Sequence, residues 1–253
     1  MSSQKVLSMA LLLVAIAVGC ATTQTSQMSG ALVTGDQIKL DYDYYPAHQP
    51  NSPTAILLPD TRCDRKHFDT FSAMLNEAGF GVMAIDFRYK DLIARLGNKS
   101  NAIQTIQRQN LDVLVDQDVK SAIDFLSRQD GVDLKRICII GTSLGSRVAL
   151  KSGVKYSSKA LVLISLSGQE IFTAGSTPIQ QLLLEYGDKP ILFMTSAKDW
   201  GNNYRAAEDN KLYMNWAKGK CELKTWPGSE HGVDILKSME AAQFVLSWLR
   251  QNI

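Results

Sequence analysis

The sequence has 253 residues, 45% of them hydrophobic, and its 27 Lys and Arg against 25 Asp and Glu leave a formal net charge of +2. This is an ordinary globular composition, with no basic stripe and so no electrostatic footprint for nucleic acid. The length suits a single α/β domain, which commonly runs to roughly 200–250 residues.

The N-terminal segment stands apart from the fold. Lys5 is the only charged residue before Asp36, and Val6 to Val18 is an almost unbroken apolar run. It is shorter than the about 20 residues a membrane span needs and falls within the roughly 7–15 of a signal-peptide core. The run closes on Ala17-Val18-Gly19-Cys20, which resembles the lipobox of bacterial lipoproteins, although Ala17 stands where leucine is usual. The resemblance implies cleavage after residue 19, lipidation of Cys20 and attachment to a membrane of the cell envelope. A plain secretory signal, giving a secreted or periplasmic protein, is the alternative. Ala21 lacks the aspartate associated with inner-membrane retention, so in a cell with two membranes the resemblance favours the outer one. Residues 20–35, polar and rich in Thr, Ser and Gln, read as a flexible tether, which leaves 36–253 as one domain.

Beyond the tether, apolar runs alternate with helical patterns. Ile38–Tyr45 reads as an early strand at the sheet margin, and Thr54–Leu58 as a buried one. Phe68–Ala78 is a helix closed by Gly79, and Gly81–Asp86 the next strand. A polar connection, Phe87–Asn110, carries Arg88, Lys90, Arg95, Lys99 and Arg108, a pattern usual for a solvated face. Asn110 then caps a helix whose apolar face is Leu111, Leu114, Val115, Val119, Ala122, Ile123 and Leu126. Arg136–Ile140, Ala160–Ser165, Pro190–Thr195 and Cys221–Trp226 read as strands. Leu144–Tyr156, a short cap Ile179–Glu185, Tyr204–Ala217 and Val233–Leu249 read as helices. Strands that are apolar without alternation must be covered on both faces. Their order with the helices predicts an α/β fold, a mostly parallel twisted sheet sandwiched between helices. Cys138 belongs to that core; Cys63 and Cys221 fall at opposite ends of the sheet, too far apart for a disulfide.

Function in such a sheet collects where the strands' carboxyl ends open into loops. Gly141-Thr142-Ser143-Leu144-Gly145 lies there, between a predicted strand and a predicted helix. A serine on a strained turn projects its hydroxyl clear of the sheet, while flanking glycines let strand and helix close up. The Leu144 amide, at the helix start, is placed to donate to an oxyanion. Of the three histidines, His48, His67 and His231, only His231 follows Ser143, in the loop between the last strand and the last helix. His48 reads as a surface residue and His67 as part of a helix start. Asp199, in the loop after Pro190–Thr195, is the candidate acid that orients His231, with Glu170 as its rival. Trp200 and Trp226 flank these loops. Nothing in this set calls for a metal or a cofactor.

The stretches GTSLGS, TSAKD, WPGSEHG and GFGVMAIDFR, in this order of roles from Thr54 to the C-terminus, resemble an α/β-hydrolase of the compact esterase or dienelactone-hydrolase-like sort. The resemblance implies a Ser143–His231–Asp199 triad acting on an ester, thioester or amide of a small-molecule or acyl substrate. It also implies that Thr61 supplies the second oxyanion amide beside Leu144. One departure stands out: Pro59-Asp60 replaces the His-Gly found in many relatives. A carboxylate turned inward there opposes oxyanion chemistry, and one turned to solvent does not. Two other readings therefore stand beside a serine esterase: a hydrolase scaffold kept for binding in the envelope, and an acyltransferase. Oligomeric state is not legible.

Overall fold

A computed structural model describes residues 27–88, 111–166, 177–199 and 205–253. Eight strands, β1 (Met28–Val33), β2 (Lys39–Tyr45), β3 (Ser52–Leu58), β4 (Gly81–Ile85), β5 (Val132–Thr142), β6 (Ala160–Ile164), β7 (Ile191–Ser196) and β8 (Cys221–Trp226), form one sheet in the order β1-β2-β4-β3-β5-β6-β7-β8. β2 pairs antiparallel with β1 and β4, and every other pair is parallel. The helices are α1 (Asp69–Glu77), α2 (Lys120–Leu126), α3 (Leu144–Lys155), α4 (Ile179–Tyr186), α5 (Ala206–Trp216) and α6 (Met239–Asn252).

The period of two along a strand explains the layering. In β3, Ile56 and Leu58 face one way and Ala55 and Leu57 the other; in β5, Ile137 and Ile139 oppose Cys138 and Ile140. One face packs on Val119, Val148, Leu183 and Tyr213, from the π-turn before α2, α3, α4 and α5. The opposite face packs on Leu75 of α1 and Val245 and Trp248 of α6. At the centre of the sheet both faces are covered, so β4 and β6 are buried and apolar at every position. Truncating a fully buried anchor such as Phe193 to alanine should cost about 3–5 kcal/mol.

Four local features depart from the sequence reading. The tether expected over 20–35 is cut short by β1, because Thr34–Ile38 folds back and pairs Met28–Val33 with β2. Five of the six β1 residues are exposed, so composition reads as tether although the ladder makes a strand. The helix expected from Leu111 to Leu126 is broken into an α-turn, a π-helix over Leu114–Val119, and α2. Within that π segment Asp118 is fully buried and accepts from Arg88 Nε at 2.8 Å. Arg88 also meets Asp36 at 2.6 Å, so it is a structural cross-link rather than part of a solvated face. Lys90, Arg95, Lys99 and Arg108 lie outside the described residues. Finally, the closing helix is two pieces: a 3-10 segment, Gly232–Lys237, and α6, capped where Ser238 Oγ accepts from Ala241 N–H.

Candidate active site

Ser143 occupies the turn from β5 into α3 with φ 51° and ψ −112°. Such a sparsely populated conformation costs an L-residue about 1–3 kcal/mol, so the neighbours must enforce it. They do: the Ser143 amide donates to Ile164 O at 2.9 Å, and Ser143 O accepts from the Ser146 amide at 3.0 Å. The flanking glycines are steric requirements. A Cβ on Gly141 would stand 2.6 Å from Ser146 N and closer still to Gly145 O. A Cβ on Gly145 would stand 2.7 Å from Pro59 O and closer still to Leu58 O. Leu144 is the first residue of α3, and an amide in the first turn has no acceptor within its own helix. It therefore sits at the positive end of that helix, beside the serine.

The structure brings His231 and Asp199 together. His231 Nδ1 lies 2.6 Å from Asp199 Oδ1, both residues being buried. Thr195 Oγ1 donates to the other carboxylate oxygen at 3.3 Å. The two loops are stitched to each other, since the Ala197 amide donates to Trp226 O and the Lys198 amide to Gly228 O. In the tautomer that carries its proton on Nδ1, toward Asp199, Nε2 is the acceptor nitrogen of the ring. Gly232, which follows His231, has φ 59°; a Cβ on it would stand 3.6 Å from Thr142 Cβ. The residue after the histidine thus packs beside the residue before the serine.

The loop after β3 settles the orientation of Asp60. It is buried, with Oδ1 accepting from the Arg62 amide at 2.8 Å. Oδ2 faces Gly232, where a Cβ would come within 2.9 Å of it. The carboxylate is therefore turned inward, on the side of the residue following His231. Thr61 is half-buried in the same turn. Arg65 closes this loop, its amide donating to Asp86 Oδ1 at 2.7 Å and its guanidinium meeting Asp86 and Asp43 at 2.6 and 2.9 Å. Among the described residues the cysteines, Cys63, Cys138 and Cys221, are free thiols. Burial, with the Asp60 charge nearby, pushes Cys63 up to about 12, and burial raises Cys138 to about 12 and Cys221 to about 11.

Other candidates fall outside this cluster. His48 is exposed. His67 completes a capping box with Asp64 at the 3-10 turn Arg65–Phe68. Trp226 lines a cavity of about 600 Å³ with Ser196, Glu230 and Asp234. Glu170 and Trp200 lie outside the described residues. Among the described residues no group of three or more His, Cys, Asp or Glu is arranged to hold a metal ion. Two participants escape a sequence reading: Gly232 and Ser165. Ser165 is a buried residue with φ 55° whose Oγ accepts from the Gly232 amide at 2.8 Å. The only local sign of Gly232 is its place after His231, and Ser165 has none.

The strand order and the serine turn define an α/β-hydrolase fold. Over residues 42–248 the sequence matches the dienelactone hydrolase family, and the chain belongs to that family. Similar solved structures include a dienelactone hydrolase from Anabaena variabilis, with a TM-score of 0.65 and 14% identity over 91% of this chain and 99% of the other. Est1E from Butyrivibrio proteoclasticus superposes with a TM-score of 0.64 and 16% identity over 88% of this chain and 96% of its own. An esterase of Pyrococcus furiosus gives 0.67 and 16% over 90% and 91%. At such identities the likeness is one of fold. No curated protein sequence matches the chain closely enough to count as a relative.

Proposed function

We propose that this member of a hydrolase family is a serine hydrolase that cleaves carboxylic esters through Ser143, His231 and Asp199. The observation that carries the reading is the buried 2.6 Å pairing of His231 with Asp199 on loops that adjoin the strained Ser143 turn. In this reading His231 Nε2 accepts the Ser143 proton as Oγ attacks the ester carbonyl. The tetrahedral oxyanion is held by the Leu144 and Thr61 amides, and collapse expels the alcohol with the proton carried by His231. Water, activated by the same imidazole, then releases the acid from the acyl-enzyme. No cofactor takes part in these steps.

The inward Asp60 carboxylate favours a second reading, a hydrolase scaffold kept for binding, because a fixed anion near the site opposes a developing oxyanion. One experiment separates the two. A protein beginning after Cys20 is treated with a fluorophosphonate and its intact mass read beside Ser143→Ala. Under the first reading the parent gains a single adduct and the variant none. A folded parent that gains no adduct sinks the hydrolase reading. Adding an alcohol acceptor to the ester assay distinguishes an acyltransferase, which would divert the acyl group to the alcohol.

The proposal extends to the N-terminus: Cys20 carries lipid and attaches the domain to an envelope membrane. Its support is the apolar run Val6–Val18 followed by Gly19-Cys20. Among the described residues no helix is long and apolar enough to cross a membrane. Cys20→Ser should move the expressed protein from the membrane fraction to the soluble one; an unchanged distribution refutes the anchor.

A further inference from the structure

The end of β6 is built to hold both sides of the proposed reaction. Ile164 O accepts the Ser143 amide at 2.9 Å, and the next residue, Ser165, accepts the Gly232 amide on its Oγ at 2.8 Å. Two adjacent residues thus fasten the backbone of the serine and the backbone of the histidine. Ser165 is itself fixed, its amide donating to Met194 O at 2.7 Å in the strand that leads to Asp199.

The histidine needs such an anchor. Its loop, Pro227–Glu230, is exposed throughout, whereas His231 is buried. Asp199 holds the ring through Nδ1 and so governs the side chain. The peptide joining His231 to Gly232 is governed separately, through the amide that donates to Ser165. Gly232 lies beside Asp60 and Thr142, where an added Cβ would stand 2.9 Å from Asp60 Oδ2 and 3.6 Å from Thr142 Cβ. Ser165 keeps a positive φ of 55° in a buried site, a conformation that glycine would adopt without strain. The side chain that glycine lacks is the hydroxyl that receives Gly232.

We infer that Ser165 is a positioning residue for the reaction: its hydroxyl, by fixing the His231–Gly232 peptide, sets the reach of His231 Nε2 to Ser143 Oγ. The inference rests on the hydrolase reading given above. A displacement of about 1 Å at a reacting group can cost about 100-fold in rate, so a single lost anchor should be visible in turnover rather than in substrate binding.

Ser165→Gly is the decisive variant, since it removes the hydroxyl while accommodating φ 55°; Ser165→Ala, which retains Cβ, is read on the same criteria should the glycine variant not fold. Parent and variants are compared by urea denaturation, by steady-state hydrolysis of p-nitrophenyl acetate, and by the rate of fluorophosphonate labelling. The expected result is a folded variant whose kcat and labelling rate fall about 10- to 100-fold while KM changes less than about twofold. A folded variant with kcat and labelling within about twofold of the parent overturns the positioning role. A KM effect without a kcat effect overturns it as well. A parent that is not labelled at all refutes the hydrolase reading itself, and this inference with it.

Discussion

Gly145→Ala sets two physical effects against each other. Gly145 is buried in α3 and has no left-handed φ, so alanine should gain about 0.8–1 kcal/mol of helix propensity. The surroundings reverse the sign. The new Cβ would stand 2.7 Å from Pro59 O and nearer to Leu58 O, well inside the roughly 3.3–3.6 Å of an ordinary carbon–oxygen contact. Both obstacles are backbone atoms, so no rotamer change relieves them; either α3 lifts or the end of β3 moves. Overpacking of this kind costs about 1–3 kcal/mol, and at its upper end the net loss after the propensity gain is about 2 kcal/mol. For a chain of this size that corresponds to a Tm lower by about 4–8 °C. The segment displaced leads into Asp60 and Thr61, and losing one oxyanion donor costs about 10²–10³ in rate. Urea unfolding followed by tryptophan fluorescence gives the stability change, and p-nitrophenyl acetate hydrolysis the rate. Gly187→Ala is the control: φ is 77° and nothing lies within 4 Å of the added Cβ. It should lose about 1–3 kcal/mol through backbone strain alone and keep its kcat. A Gly145→Ala protein at least as stable as the parent would refute the close approach of α3 to β3.

Two further predictions concern charge. Asp199→Asn should lower kcat by about 10³–10⁴ by presenting the wrong partner to Nδ1, whereas Glu170→Gln should stay within about twofold; the reverse order would reassign the acid. Asp43 is buried among Ser29, Lys66 and Arg65, and although burial pushes its carboxyl up, their hydrogen bonds and charges hold it below its ordinary value near 3.8. A carboxyl depressed on folding contributes stability that is present above the unfolded value, about 3.9, and is lost as pH falls through the lower folded one. Asp43→Asn should therefore reduce the loss of stability as pH falls below about 4, read as the urea midpoint against pH; an unchanged acid limb would contradict the ion-pair account.

The fold was legible because burial on both faces of a parallel sheet leaves a strong local trace. Ala160–Ile164 and Ile191–Ser196 carry an apolar residue at nearly every position, and such runs cannot be surface strands. The breaks were not legible for the same reason. In the stretch Leu111–Leu126 the apolar spacing is helical throughout, while the π-turn is held by long-range partners such as Arg88, which meets Asp118 from 30 residues away in the chain, and Tyr156, whose hydroxyl donates to Val115 O. β1 carries five exposed residues of six and is a strand by virtue of its partner.

The same division runs through the candidate site. Ser143, Asp199 and His231 each follow a strand, so position in the alternating pattern points to them, and the paired glycines around Ser143 mark a tight turn, although only the demand on Gly141 is local and that on Gly145 comes from Leu58 and Pro59. What orients these groups acts at longer range. The bond from Gly232 N–H to Ser165 Oγ joins residues 67 apart, and Asp60 meets Gly232 from the other end of the chain. A serine after a strand and a glycine after a histidine are common in any α/β sequence. Their roles arise from two left-handed residues meeting where β6 ends, and that meeting exists only once the sheet has placed β6 between the strands that carry the serine and the acid.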